Sequence, residues 1–286
     1  MKTVECDLNG VSMFFKWPQR HGRSIDMSLF FDYSRPGPGV DPDEPRKTGL
    51  PRIWEMISRD YTKFWLAGLI NMLLLFPFIF GAGYAYATHS LLFAVLAGGI
   101  GGSIASPGFY GLADTLLLSL RDEPCFWWYR YRRELKKNWR GTLLPGALMG
   151  MVFSVQCFTL LHMPVLGGGL GLLFCQIISM VVSFGFFIWA LPQQVLLELS
   201  IPALIKNSFL LFFRYLFKTV AASVICLLFL LLICLMFPGS VFLLFVVGLW
   251  LPMLCAFQIV YPSLNDVFKV EETLKLQNEV GDAEES

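Results

Sequence analysis

The sequence predicts an all-α polytopic membrane protein, with about six transmembrane helices and a cytoplasmic interfacial helix. Three observations lead there. Apolar residues make up 56% of the chain and charged residues only 15%, with a mean hydropathy of +0.61. A soluble domain carries about 25% charged residues, so this chain could not cover a water-facing surface. Six stretches are long and apolar enough to cross about 30 Å of hydrocarbon, which takes about 20 helical residues. The cations, finally, are confined to alternate connections between those stretches.

Residues 1–60 form a polar leader. Its segment Arg35-Pro-Gly-Pro-Gly-Val-Asp-Pro-Asp-Glu-Pro45 has closely spaced prolines that disfavour helix and permit an extended or turn-rich chain. Residues 52–60 (RIWEMISRD) read as a short amphipathic helix with Ile53, Trp54 and Ile57 on its apolar face, lying on the membrane surface. The membrane domain is expected over 61–264, with spans near 63–83, 90–119, 143–162, 168–191, 215–237 and 240–261. Lipid forces these to be helices, because unpaired backbone groups cannot be left in hydrocarbon. Runs such as Leu73–Leu75 and Leu227–Ile233 lack the alternation that a barrel strand needs. Pro107-Gly108 predicts a kink or break in the second span. Residues 265–286 read as a short helix and an acidic tail.

All 22 Lys and Arg fall in the leader, at Lys63, in 120–140, in 199–219 or after 262. The connections near 84–89, 162–167 and 237–240 contain no Lys, Arg, Asp or Glu. The positive-inside rule then puts both termini in the cytoplasm of a multi-pass cell-membrane protein. The outward connections are tight turns with no room for an external domain. The net charge of +1 gives nucleic acid no reason to bind. Seven cysteines are scattered without a C-x-x-C pair and read as small apolar side chains, with no cofactor implied.

The most distinctive cytoplasmic piece is 121–140, RDEPCFWWYRYRRELKKNWR. Trp127, Tyr131, Leu135 and Trp139 recur every four residues as one stripe. Arg130, Arg132, Arg133, Lys136, Lys137 and Arg140 surround it. Aromatics beside cations suit an anionic lipid surface, and they equally suit a docking surface for a protein partner. Small residues are dense in the second span: Ala94, Gly98, Gly102 and Ser106 lie four apart, as do Ala97, Gly101 and Ala105. Gly146 and Gly150 repeat the spacing in the third span, and Gly167 and Gly171 at the fourth. Such spacing lets helix backbones approach closely, within one chain or between two copies of it.

Two acids stand near span ends. Asp114 is in the second span, with Arg121 a candidate partner, and Glu198 follows the fourth, with Lys206 a candidate partner. An acid at membrane depth is a functional candidate by default. His89 and His162 fall at the outer face, where they can approach each other; without further ligands they make a poor metal site. Neither H-E-x-x-H, a phosphate loop nor G-x-S-x-G occurs, so no enzymatic chemistry is indicated.

Met27-Ser-Leu-Phe-Phe-Asp-Tyr33, Pro36-Gly-Pro-Gly-Val40, Asp43-Glu-Pro45 with Arg46-Lys47, Lys63-Phe-Trp65 and Asn71…Pro77 together resemble the YesL-like family of bacterial integral membrane proteins. Phe126…Lys137-Asn138-Trp139 and Lys206-Asn207-Ser208 extend the resemblance, which runs from about Met27 to Phe268. It implies that residues 1–26 are an extension, with Met27 the expected start. It also implies linkage to carbohydrate uptake, because family members are often encoded beside sugar ABC-importer components. The expected function is thus a non-enzymatic accessory to such an importer, with the lipid bilayer and the importer's permease subunits as partners. A small-solute transporter or channel, and a membrane assembly or stress scaffold, are the competing expectations.

Overall fold

The computed structural model describes residues 46–123, 126–165, 167, 169–197, 199–236 and 238–273. The leader up to residue 45, Glu198 and the tail from 274 lie outside them. Of the two compact units, Met1–Arg46 and Lys47–Ser286, every helix named below belongs to the second. Its order is α1 (Leu50–Ala87), α2 (Leu91–Arg121), α3 (Trp127–Leu161), α4 (Leu170–Leu197), α5 (Ile201–Arg214), α6 (Leu216–Leu235), α7 (Ser240–Val246) and α8 (Trp250–Phe268). Five of these, α1 to α4 and α6, are long and apolar enough to cross a membrane. The molecule is an all-α polytopic membrane protein.

Local chemistry sets the helix ends. Pro51 occupies the first turn of α1, where its missing N–H is not needed. The Ser90 side chain caps α2 by accepting from Phe93 N–H. Pro77, Pro107, Pro145 and Pro192 all lie inside continuous helices. Of the kink or break expected at Pro107-Gly108, the break is absent. Neighbouring helices and serine hydroxyls re-satisfy freed backbone groups at such sites.

Three sequence-based expectations change in the fold. The stretch 52–60 is not a separate surface helix but the first turns of α1. Its buried residues Arg52, Met56 and Asp60 continue in phase into Phe64, Ala67, Gly68 and Asn71. Trp54 is 73% exposed, on the outward side of this helix. The basic segment after residue 126 is likewise the start of α3, not a helix of its own. At 1.5 Å per residue, the 38 residues of α1 and 35 of α3 reach about 57 and 52 Å, well beyond a 30 Å core.

The stretch 240–261 is divided. Gly248 adopts φ +60°, a left-handed value that ends one helix before α8 begins. Tyr61 Oη and Trp65 Nε1 donate to the Val246 and Phe245 carbonyls, and Trp250 stacks on Phe64 at 5.5 Å. From there α8 runs back along α1 until Gln258 Nε2 donates to Gly49 O at 2.8 Å. The return leg is thus two short helices beside the first half of α1. It still brings α8 to the end of the bundle where α1 begins.

Helix α2 is the centre of the bundle, with 44% of its apolar window buried against 17–22% for the other four long helices. A Cβ on Gly98 would lie 2.6 Å from Gly150 O, and one on Gly150 would lie 2.6 Å from Gly102 Cα. Gly102 meets the Gly146 carbonyl, while Gly101 turns the other way onto the Phe78 backbone of α1. Serine hydroxyls reinforce the approach: Ser154 Oγ donates to Ala94 O and Ser106 Oγ to Thr142 O, each at 2.7 Å. Such bonds between membrane helices contribute about 0.6 kcal/mol each, at most about 1.7. A Cβ on Gly167 or Gly171 would meet no atom within 4 Å among the described residues. Leu73, Phe80, Leu92, Ile100 and Phe217 face outward, as side chains do when the solvent is lipid.

Gly150→Ala is expected to destabilise the bundle by about 1–3 kcal/mol, because the methyl group meets backbone that cannot move aside. Gly171→Ala should change it by no more than about 0.5 kcal/mol. Unfolding of the two variants in detergent, read by circular dichroism, compares them directly.

Candidate functional site

The end of the bundle where α1 starts and α2 finishes holds most of the charged side chains of the described membrane unit. The last carbonyls of α2 lack helical partners and carry the negative end of its dipole, so cations belong there. Helix α1 supplies them. Arg52 donates to Leu120 O and to the Asp122 carboxylate, and Arg59 donates to Ser119 O at 2.9 Å and to Asp122. Asp122 ends α2 in the left-handed conformation, φ 60°. Asp60 is 5% exposed and accepts from Lys63 Nζ at 2.8 Å, Arg59 Nε at 2.9 Å and Ser119 Oγ at 2.7 Å. Two carboxylates and three cations thus clamp α1 to α2, and each buried charge has the partner that its desolvation requires.

Helix α3 joins through its first turns. Trp127 Nε1 donates to Thr115 Oγ1 at 2.9 Å. The Tyr131 ring, 3% exposed, lies on Gly111, where a Cβ would be 2.5 Å from the ring. Asn138 Nδ2 donates to Tyr110 Oη at 2.8 Å. Buried Asp114 has Arg130 Nη2 at 3.5 Å, so its ion-pair partner comes from the basic segment of α3. Arg121, the partner considered from sequence, makes its own ion pair with Glu123 at 3.0 Å. The small space among Asp60, Lys63, Ser119, Glu123 and Trp127 is about 10 Å³, enough for roughly one water molecule.

The expected aromatic stripe therefore divides. Trp127, Tyr131 and Leu135 face the bundle, and of the four only Trp139 is exposed. The outward face of the same helix carries Trp128, 56% exposed, with Tyr129, Arg132, Arg133, Lys136, Lys137 and Arg140. Arg133 sits over the Tyr129 ring at 5.9 Å, and Arg140 over the Trp139 ring at 5.4 Å. Cations held flat on exposed rings in this way are oriented as well as exposed. Gly98, Gly101, Gly102, Gly146 and Gly150 lie away from this site, in the α1–α2–α3 contacts.

Sequence reasoning missed the clamp residues Arg52, Arg59, Asp60, Ser119 and Asp122. A signal was present: Arg52, Met56, Asp60, Phe64 and Gly68 recur every four residues, in one phase across the proposed boundary at 61. At the opposite end His89 and His162 do meet, with Nδ1 of His89 2.9 Å from Nε2 of His162. His162 Nδ1 lies 2.9 Å from Phe158 O, so it is the donor there, which leaves Nε2 to accept from His89. The pair pins the α1–α2 turn to the end of α3. Asn71, part of the resemblance motif, is fully buried against Gly108, and its amide has no hydrogen-bond partner among the described residues.

No family model, no curated protein and no solved structure matches the chain.

Burial pushes the Asp122 carboxyl up, but its bonds with Arg59 and Arg52 and their charges outweigh that, and the net shift is below the ordinary 3.8. A carboxyl depressed on folding stabilises above its unfolded pKa and loses that contribution as pH falls through its folded one. Asp122→Asn should therefore lower stability at pH 7, and the gap to the parent should close below about pH 3.8. Because both groups are partly exposed, a double-mutant cycle on Arg59 and Asp122 should give a coupling of about 0.2–1 kcal/mol.

Proposed function

We propose that this chain is a non-enzymatic accessory protein of the cell membrane, with both termini cytoplasmic, that docks the permease subunits of a carbohydrate ABC importer. The observation that carries the reading is the outward face at the start of α3. It presents Trp128, Tyr129 and Trp139 among exposed Arg132, Arg133, Lys136 and Lys137. Aromatic and arginine side chains are the residues most often dominant in protein interfaces. Here they stand on a helix whose other face is fixed to α2 by Trp127 and Tyr131, so little order has to be gained on binding. Because α3 is continuous from Trp127 to Leu161, this face belongs to the same rigid helix as the span. The sugar-importer partner comes from the resemblance to the YesL-like family, and the cytoplasmic placement from the sorting of cations.

A solute path of the chain's own is less well supported. The bundle contains a cavity of about 260 Å³ whose lining is almost wholly apolar. A sugar crossing there would lose its hydrogen bonds to water without gaining others. Homo-oligomer formation through the glycine stripes is also disfavoured, since Gly98, Gly101, Gly102, Gly146 and Gly150 are taken up by contacts within the chain.

Replacing Arg132, Arg133, Lys136 and Lys137 together with Ala should reduce co-purification with sugar permease subunits at least tenfold, about 1.4 kcal/mol, while membrane insertion is retained. Unchanged co-purification would remove the docking face. Sugar uptake by liposomes containing this chain alone would favour the transporter reading instead.

A further inference from the structure

The cavity lies between the α1–α2–α3 group and the group of α4, α6 and α8. Phenylalanine is prominent in its walls: Phe109, Phe153, Phe184, Phe187 and Phe229 all line it. No charged residue does. Of its polar side chains, Ser106 has given its hydroxyl proton to Thr142 O and Gln194 its amide to Gly141 O. The polar atoms that remain, Oε1 and the second N–H of Gln194 and the Ser106 oxygen, are too few to replace the water around a hydroxyl-rich solute, whereas an apolar chain needs no such partner.

The cavity is not fully enclosed. Helices α3 and α6 both line it, with α4 packed against each of them. Each carries exposed apolar side chains next to lining ones, Leu148 and Val152 on α3, Leu228 and Leu231 on α6. The fluid outside these helices is hydrocarbon. A void of this size forfeits dispersion contacts all round its wall, and a mobile hydrocarbon chain restores them. At one end the Gln194–Gly141 contact closes the space, and the next residue, Arg140, stands exposed over Trp139. A cation beside an aromatic ring at that position suits a phosphate headgroup whose chain lies within.

We propose that the cavity is a binding site for one acyl chain of a membrane phospholipid, with its headgroup near Arg140. The acyl-chain pocket lies in the bundle interior and uses none of the four cations of the docking face; only Trp139, beneath Arg140, borders both.

The test is photo-crosslinking of the full chain in vesicles of phosphatidylethanolamine and phosphatidylglycerol. A trace of the phosphatidylglycerol carries a diazirine on its acyl chain, and labelled residues are mapped by peptide mass spectrometry. Label is expected on Phe153, Phe187 or Phe229 as well as on the outward Leu73 and Phe217. Ala190→Trp, which fills the cavity from α4, should lower the inner label severalfold and leave the outer label unchanged. Label confined to Leu73, Phe217 and other outward residues in the parent chain overturns the proposal, whether or not the Trp variant folds. So does inner labelling by a diazirine fatty acid but not by the phospholipid.

Discussion

The rest of the structure depends on how closely α2 approaches its two neighbours. In lipid there is no hydrophobic gain from bringing two apolar helices together, so association rests on van der Waals contact and a few hydrogen bonds. Helix α2 obtains that contact by having no side chains where the backbones meet. Gly98 and Gly102 admit α3, and Gly101 admits α1. With α2 fixed between them, α1 and α3 are long enough to extend past the hydrocarbon at one end. That end is where the charged clamp and the basic face are built.

The clamp follows from the same geometry. A central helix that finishes inside a three-helix end has carbonyls with no partners of their own. Arg52 and Arg59 reach them from α1, and Asp122, held left-handed at the helix end, balances the added charge. Asp60 and Ser119 complete the link. Because this network and the rings of Trp127 and Tyr131 occupy the inward side of α3, its cations face outward. The exposed face is thus a consequence of the buried one.

The second group of helices is put together differently. Helix α4 binds through side-chain bonds, Gln156 to Ser179 and Ser183, and Trp189 Nε1 to Thr219 Oγ1. The return leg is broken at Gly248 so that Trp250 can stack on Phe64. Packing is dense toward the charged end, where Trp189, Phe257 and Leu254 are fully enclosed. Beside it the two groups leave the apolar cavity.

Much of this was legible in the residues. Hydropathy and the sorting of Lys and Arg determined an all-α membrane bundle, because the cost of an unpaired peptide group in hydrocarbon leaves a chain no other choice. The small-residue spacing in α2 and α3 likewise announced a close contact. Which face of each helix turns inward was not determined that way. In water the charged face of 52–60 would be the outer one, and in this bundle Arg52 and Asp60 are inside because the end of α2 needs them. Most of the stripe, Trp127, Tyr131 and Leu135, turned inward for a similar reason: the space at Gly111 is filled by the Tyr131 ring. The division of 240–261 depended on Trp250 finding Phe64, a contact between residues far apart in the chain. One-dimensional pattern records what each segment can bury; only the partner, fixed in three dimensions, decides which side it buries.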